Sequence, residues 1–144
     1  MDIIRGGGAL KRISKIITFT GAAALGEAGT PVPVFTCTGE VLVVILTPFC
    51  TTLLTEASAT ATIALGITGS TALFIAATNS VDIDANEFWV DTAPDPNGIA
   101  IPAALKDIAI TDNIIITPAT QNTDSGVLRV DCYYMPLSSN GALS

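Results

Sequence analysis

A chain of 144 residues and 14.7 kDa has the length of one domain. At that size about two-thirds of the unfolded surface is buried on folding, so the core needs no disulfide or metal staple. The apolar fraction is 49% and the charged fraction 13%, against a usual charged share of about 25%, which excludes a disordered chain. The longest aliphatic run, Val41 to Leu46, falls far short of the about 20 residues that a membrane-spanning helix needs. Net charge is −7.

The charge is unevenly placed. Residues 1–15 hold Arg5, Lys11, Arg12 and Lys15 against Asp2, while the remainder holds Lys106 and Arg129 against all the other acids. An acidic body repels phosphate backbones, so nucleic acid is not an expected partner. A basic N-terminal arm can dock on an acidic surface, and Gly6 to Gly8 supply a hinge between it and the body. The expected organisation is therefore an arm over 1–15 and one domain over 16–144. So few charges on a folded chain imply that part of its surface is covered by a partner or by copies of itself.

Taken in chain order, Arg5 to Lys15 followed by IITFTGAAALG has the outline of a signal peptide. Its β-branched residues and threonines read instead as a strand, over Ser14 to Thr20. Residues 21–31 read as a loop. Val32 to Thr38 is a second strand, with Pro33 at its start or edge. Glu40 to Leu46 is a third, with an extension past Pro48 to Leu54. Val41, Val43 and Ile45 fall on one face and Leu42, Val44 and Leu46 on the other. A strand apolar on both faces is buried on both, which makes Val41, Val43 and Ile45 candidates for an oligomer interface.

Ala59 to Ile67 alternates Ala61, Ile63 and Leu65 against Thr60, Thr62 and Ala64. Thr71 to Ala76 reads as a strand or one helical turn. Asp82 to Ala85 is a turn. Glu87 to Asp91 places Phe88 and Val90 on one face and Glu87, Trp89 and Asp91 on the other, and Trp89 joins the interface candidates. Pro94 to Gly98 is a turn in which the glycine is free to take positive φ. Lys106 to Thr111 and Ile114 to Thr117 form a hairpin through Asp112-Asn113. Val127 to Met135 is the clearest strand, with Leu128, Val130, Cys132 and Tyr134 inward and Val127, Arg129, Asp131 and Tyr133 outward. No segment reads as a helix. Many short strands separated by Gly, Pro and Asn turns predict an all-β, antiparallel sandwich of jelly-roll type.

The chain has no histidine, which removes Ser-His-Asp and Cys-His catalysis and histidine-ligated metals. No Walker or GxSxG motif is present. Cys37, Cys50 and Cys132 form neither a disulfide framework nor a zinc motif; they read as buried free thiols of a protein folded in a reducing cytoplasm. Asp82, Asp84 and Asn86 begin a calcium-loop spacing, but Glu87 and Ala93 stand where an EF-hand needs Gly and Glu. A looser site from Asp82, Asp84 and Glu87 competes with a plain turn capping a strand. Glu87 and Asp91 have the look of a glycosidase pair, with few aromatics to build a sugar cleft. The expectation is a non-catalytic protein without cofactor or metal.

The order of several short words carries a resemblance. Phe35 precedes Thr38-Gly39, ATIALGITGSTALFIAATNSVDIDANEFWVD occupies 61–91, and Cys132-Tyr133-Tyr134-Met135-Pro136-Leu137-Ser138 closes the domain. Across most of 32–138 the chain resembles small β-sandwich virion proteins of tailed phages that serve as capsid cement or decoration. The resemblance implies a protein on the capsid exterior, a trimer, whose partner is the major capsid protein. The basic arm, with Arg5, Lys11, Arg12 and Lys15, then becomes the candidate capsid-binding element. The alternative is a head-fibre, tail or host-recognition module, for which Trp89 and Tyr133 are the candidate exposed aromatics.

Overall fold

The computed structural model describes residues 10–144, so Arg5 and the glycines at 6–8 lie outside the described residues. In chain order the strands are β1 (Lys11–Thr18), β2 (Val32–Phe35), β3 (Cys37–Thr38), β4 (Val41–Thr55), β5 (Thr62–Ile67), β6 (Ser70–Asn79), β7 (Glu87–Phe88), β8 (Asp95–Pro96), β9 (Lys106–Ile110), β10 (Ile114–Ala119), β11 (Ser125–Pro136) and β12 (Ala142–Leu143). Ser80–Asp82 and Ala103–Leu105 are single 3-10 turns, and the described residues contain no α-helix.

One sheet runs β1-β11-β4-β7-β8, with β9 also paired to β4; a second runs β2-β10-β5-β6; β12 and β3 form a small ribbon. All the strand pairings are antiparallel. The two larger sheets share one core. Ile17, Val43, Leu46, Leu128 and Val130 come from the first and Val34, Ile63, Leu65, Ile114 and Ile116 from the second.

The expected inward set of β11 is buried as read, with Leu128, Val130 and Cys132 at 0% exposure. Strand β4 departs from simple alternation. Tyr133 pairs with Ile45 and Tyr134 with Val43, so Val44 is an extra residue on β4. Such a bulge reverses parity. Val41 and Val43 point to the core before it and Leu46, Pro48 and Cys50 after it. Ile45 is thereby moved to the opposite face from Val41 and Val43. Those two valines have 0% exposure and Trp89 also 0%, so all three belong to the chain's own core and have no surface to give a neighbouring subunit. Only Ile45 of the expected interface set keeps accessible area.

Pro48 sits within this internal strand because its flank there is unpaired. Strand β9 covers Val41 to Ile45 and β7 covers Phe49 and Cys50. The Pro48 carbonyl accepts the Trp89 N–H at 3.1 Å, and the N–H that proline lacks is not required in that gap.

Three further expectations change. The first strand begins at Lys11 rather than Ser14. Lys106–Ile110 and Ile114–Ala119 do not form a hairpin: β9 pairs with β4 and β10 with β5 and β2. Asp112-Asn113 is a corner between sheets, tied down where Asn113 Oδ1 accepts the Cys37 N–H at 2.8 Å. In the turn at 94–98, Asn97 rather than Gly98 takes positive φ, at 68°.

The thiols are free, with Cys50 and Cys132 buried and Cys37 half-buried. Burial pushes the Cys132 pKa up to about 12. Burial likewise raises Cys50 to about 11, partly offset by backbone hydrogen bonding at Thr52. Native protein treated with iodoacetamide near neutral pH should therefore be alkylated at Cys37 first, with Cys50 and Cys132 reacting only on unfolding. Peptide mapping of a time course checks this.

Candidate interaction face

The register across the large sheet aligns outward side chains in rows. Ile16 on β1, Arg129 on β11, Phe49 on β4 and Phe88 on β7 form one row. Ser14, Asp131 and Thr47 form the next. Arg12, Tyr133, Ile45 and Lys106 form a third. All five described bases lie on strands of this sheet, with Lys11, Arg12 and Lys15 on β1, Lys106 on β9 and Arg129 on β11. The strands of the second sheet, β2, β5, β6 and β10, carry no charged residue.

Asp131 is the hub of the face. Its carboxylate accepts the Arg12 Nη2 at 3.0 Å, the Ser14 hydroxyl at 2.7 Å and the Arg129 Nε at 2.8 Å. Burial works to raise its pKa, but the Ser14 hydrogen bond and the two guanidinium groups prevail and hold it below the usual carboxylate value. A group with a depressed native pKa contributes stability above its unfolded pKa and loses it as pH falls through the native one. Asp131→Asn should thus cost about 1 kcal/mol near neutral pH, the guanidinium partners being half in solvent. The gap from the parent should close as pH drops below about 4. Urea melts at several pH values measure it.

Beside this hub the Phe49 and Phe88 rings meet edge to face, with centroids 4.9 Å apart at 65°, and the Arg129 guanidinium lies 5.3 Å from the Phe49 centroid. Each contact is worth on the order of 1 kcal/mol. Ile16 is 66% exposed and Tyr133 41%. An aromatic and arginine cluster flanked by exposed apolar side chains has the composition of a protein–protein contact surface.

Of the residues singled out from sequence, Lys11, Arg12 and Lys15 share the paired strand β1 rather than a loose arm, Arg12 on the outer face and Lys11 and Lys15 on the opposite side of the strand. Arg5 lies outside the described residues. Tyr133 is on the face and Trp89 is not: Phe88 lies in the outward row, while Trp89 and Val90 are both buried. The Trp89 indole N–H donates to Thr78 Oγ1 at 3.0 Å, which satisfies its polar atom in the core. Phe49, Phe88 and Ile16 were not recognised from sequence, because the register that aligns them with Arg129 depends on long-range pairing.

The acidic turn at 82–87 is stitched to its own backbone. Glu87 Oε2 accepts the Asp84 N–H at 2.9 Å, and the Asn86 N–H donates to the Cys50 carbonyl at 2.8 Å. Among the described residues no group of three or more Cys, Asp or Glu is placed to hold a metal ion. No described helix is long and apolar enough to cross a membrane.

No family model matches the chain, and no curated protein matches it. Among solved structures it is similar in fold to a chain of the cyanophage Pam1 capsid asymmetric unit, with a TM-score of 0.55 and 22% identity over 90% of this chain and 87% of that one.

Proposed function

We propose that this chain is a structural protein of a tailed-phage virion and acts as a capsid cement or decoration protein on the outer head surface. The observation that carries the reading is the fold likeness to a capsid component over nearly the whole length of both chains. Two facing antiparallel sheets, one of six strands and one of four, are in keeping with a jelly-roll-like sandwich, a frequent capsid architecture. The sparse surface charge and the aromatic and arginine face supply the surface such a protein needs. Its partners on this reading are the major capsid protein and further copies of itself, with a trimer as the expected state. Arg12, Ile16 and Tyr133 on the outer face are the proposed capsid contacts, with Lys11 and Lys15 reached along the β1 edge. A host-recognition module has less support, since Trp89 is in the core and Tyr133 lies mid-strand rather than at a loop tip.

Co-sedimentation of the purified protein with expanded capsids of its phage tests the reading. Binding that saturates at a fixed ratio to capsomers is expected. Ile16→Glu combined with Tyr133→Glu should weaken it at least about tenfold, with the fold intact by circular dichroism. Absence of binding by the parent protein overturns the proposal.

A further inference from the structure

We propose that the free edge of β1 is a strand-addition site for an extended acidic segment of a partner protein. This names the partner segment for the attachment surface proposed above and relies on that reading only for the partner being a capsid component.

The backbone leaves β1 half-used. The Phe19 N–H donates to the Gly126 carbonyl at 2.9 Å, continuing the register in which Ile17 pairs with Leu128. In an antiparallel ladder the residues that exchange hydrogen bonds alternate. The odd-numbered residues of β1 therefore bond to β11, while the N–H and C=O groups of Arg12, Ser14, Ile16 and Thr18 point away from it. Thr20, next in that even series, donates its N–H to the Leu25 carbonyl at 2.8 Å, so the loop at 20–25 already engages this edge at its upper end. Among the described residues 11–18 have no backbone partner outside the β11 ladder.

The other described edges are poor templates. Strand β2 has four residues and includes Pro33, and β8 has two and includes Pro96. Strand β6 is broken by register shifts against β5, and β9 holds Asp107 at φ 56°. Only β1 combines eight residues, unbroken register and no proline. Prolines, bulges and short length are the means by which edges are closed to pairing.

The side chains of β1 select what can pair. Lys11 and Lys15 stand four apart on the core side of the strand, opposite Tyr134 and Val130. Arg12 and Ile16 stand on the outer side, with Arg12 engaged by Asp131. A second β1 would set bases against bases, which is unfavourable. An extended chain carrying carboxylates on the side facing Lys11 and Lys15, and apolar groups on the side facing Ile16, is complementary on both. Main-chain bonds then supply affinity and the alternating side chains specificity. Next to the edge runs a groove that includes Lys15, Ile16, Thr18, Leu25 and Val32, in which Leu25 is 41% exposed and can receive an apolar side chain.

The test uses the full chain and a synthetic peptide of about ten residues alternating Glu and Val, with amide exchange read by NMR. At saturation the amides of Arg12, Ser14, Ile16 and Thr18 should slow about tenfold or more while their odd-numbered neighbours stay unchanged. The same peptide N-methylated at every second residue in the frame whose amides face β1 should give no protection. Lys11→Glu combined with Lys15→Glu should switch preference to a Lys/Val peptide. The inference is overturned by no protection at millimolar peptide, by equal protection from the methylated peptide, or by self-association of the chain alone that protects the same amides. Capsid binding is measured separately. Capsid-bound protein with unprotected β1 amides sinks strand addition and leaves the virion reading standing, whereas peptide binding without capsid binding does the reverse.

Discussion

Replacing Trp89 with alanine should destabilise the protein by about 4 kcal/mol, enough to unfold a domain of ordinary stability at physiological temperature. The indole is fully buried, so its removal leaves a large cavity between the sheets. It also withdraws the indole N–H donor from Thr78, a residue only 2% exposed. Thr78 Oγ1 keeps its own bond to the Ala76 carbonyl at 3.0 Å, so the cavity accounts for most of the loss. Trp89→Phe should recover about half of it. Urea melts must be followed by far-ultraviolet circular dichroism, because Trp89 is the only tryptophan. A loss under about 1 kcal/mol would show that the core refills around the missing ring.

The second large effect is expected at Gly126. Its φ of 115° is one that L side chains rarely adopt, and a Cβ there would stand 2.6 Å from the Leu53 carbonyl oxygen and 2.7 Å from Leu54 Cα. The position lies in β11 where the register against β4 slips between Ser125 and Val127, so the close approach of two backbones is part of a bulge. Gly126→Ala should cost about 3 kcal/mol from strain and displaced backbone. A second consequence separates strain from simple loss of packing. Because the β1–β11 ladder continues into the Phe19–Gly126 bond, amides of β1 should exchange faster in the variant than amides of β5 or β10. Equal acceleration in both sheets would contradict that account.

The all-β class and the inward set of β11 were legible because alternation is a local property. Leu128, Val130, Cys132 and Tyr134 differ in polarity from their neighbours, and where the register shifts between Tyr133 and Tyr134 the extra residue is on β4, so alternation along β11 is kept. Strand β4 was legible as a buried element but not in its facing, since nothing in the valine-rich run marks Val44 as the extra residue. The hairpin reading at 106–117 failed for a related reason: Asp112-Asn113 suits a turn within one sheet and a corner between two equally well. The charge asymmetry at the N-terminus was visible, yet its structural home was not. Lys11, Arg12 and Lys15 are not strand-forming by composition; they are held in a strand by β11, and the Arg12–Asp131 contact spans 119 positions. The Arg129–Phe49–Phe88 row was hidden in the same way, because its members come from three strands far apart in sequence.

The placement of β11 between β1 and β4 bears on how the protein is made. Neither the first strand nor the longest one can complete its ladder until residues 125–136 have been synthesised. At about 5–20 residues per second, Arg12 waits roughly 6–24 s for Asp131 to be translated. During that interval the apolar run of β4 lacks its main partner on a nascent chain, where stalled or truncated products would be left with open strands. A ribosome-bound fragment ending before Ser125 should therefore be protease-sensitive throughout the large sheet and should bind general chaperones, while a chain extended past Pro136 should not.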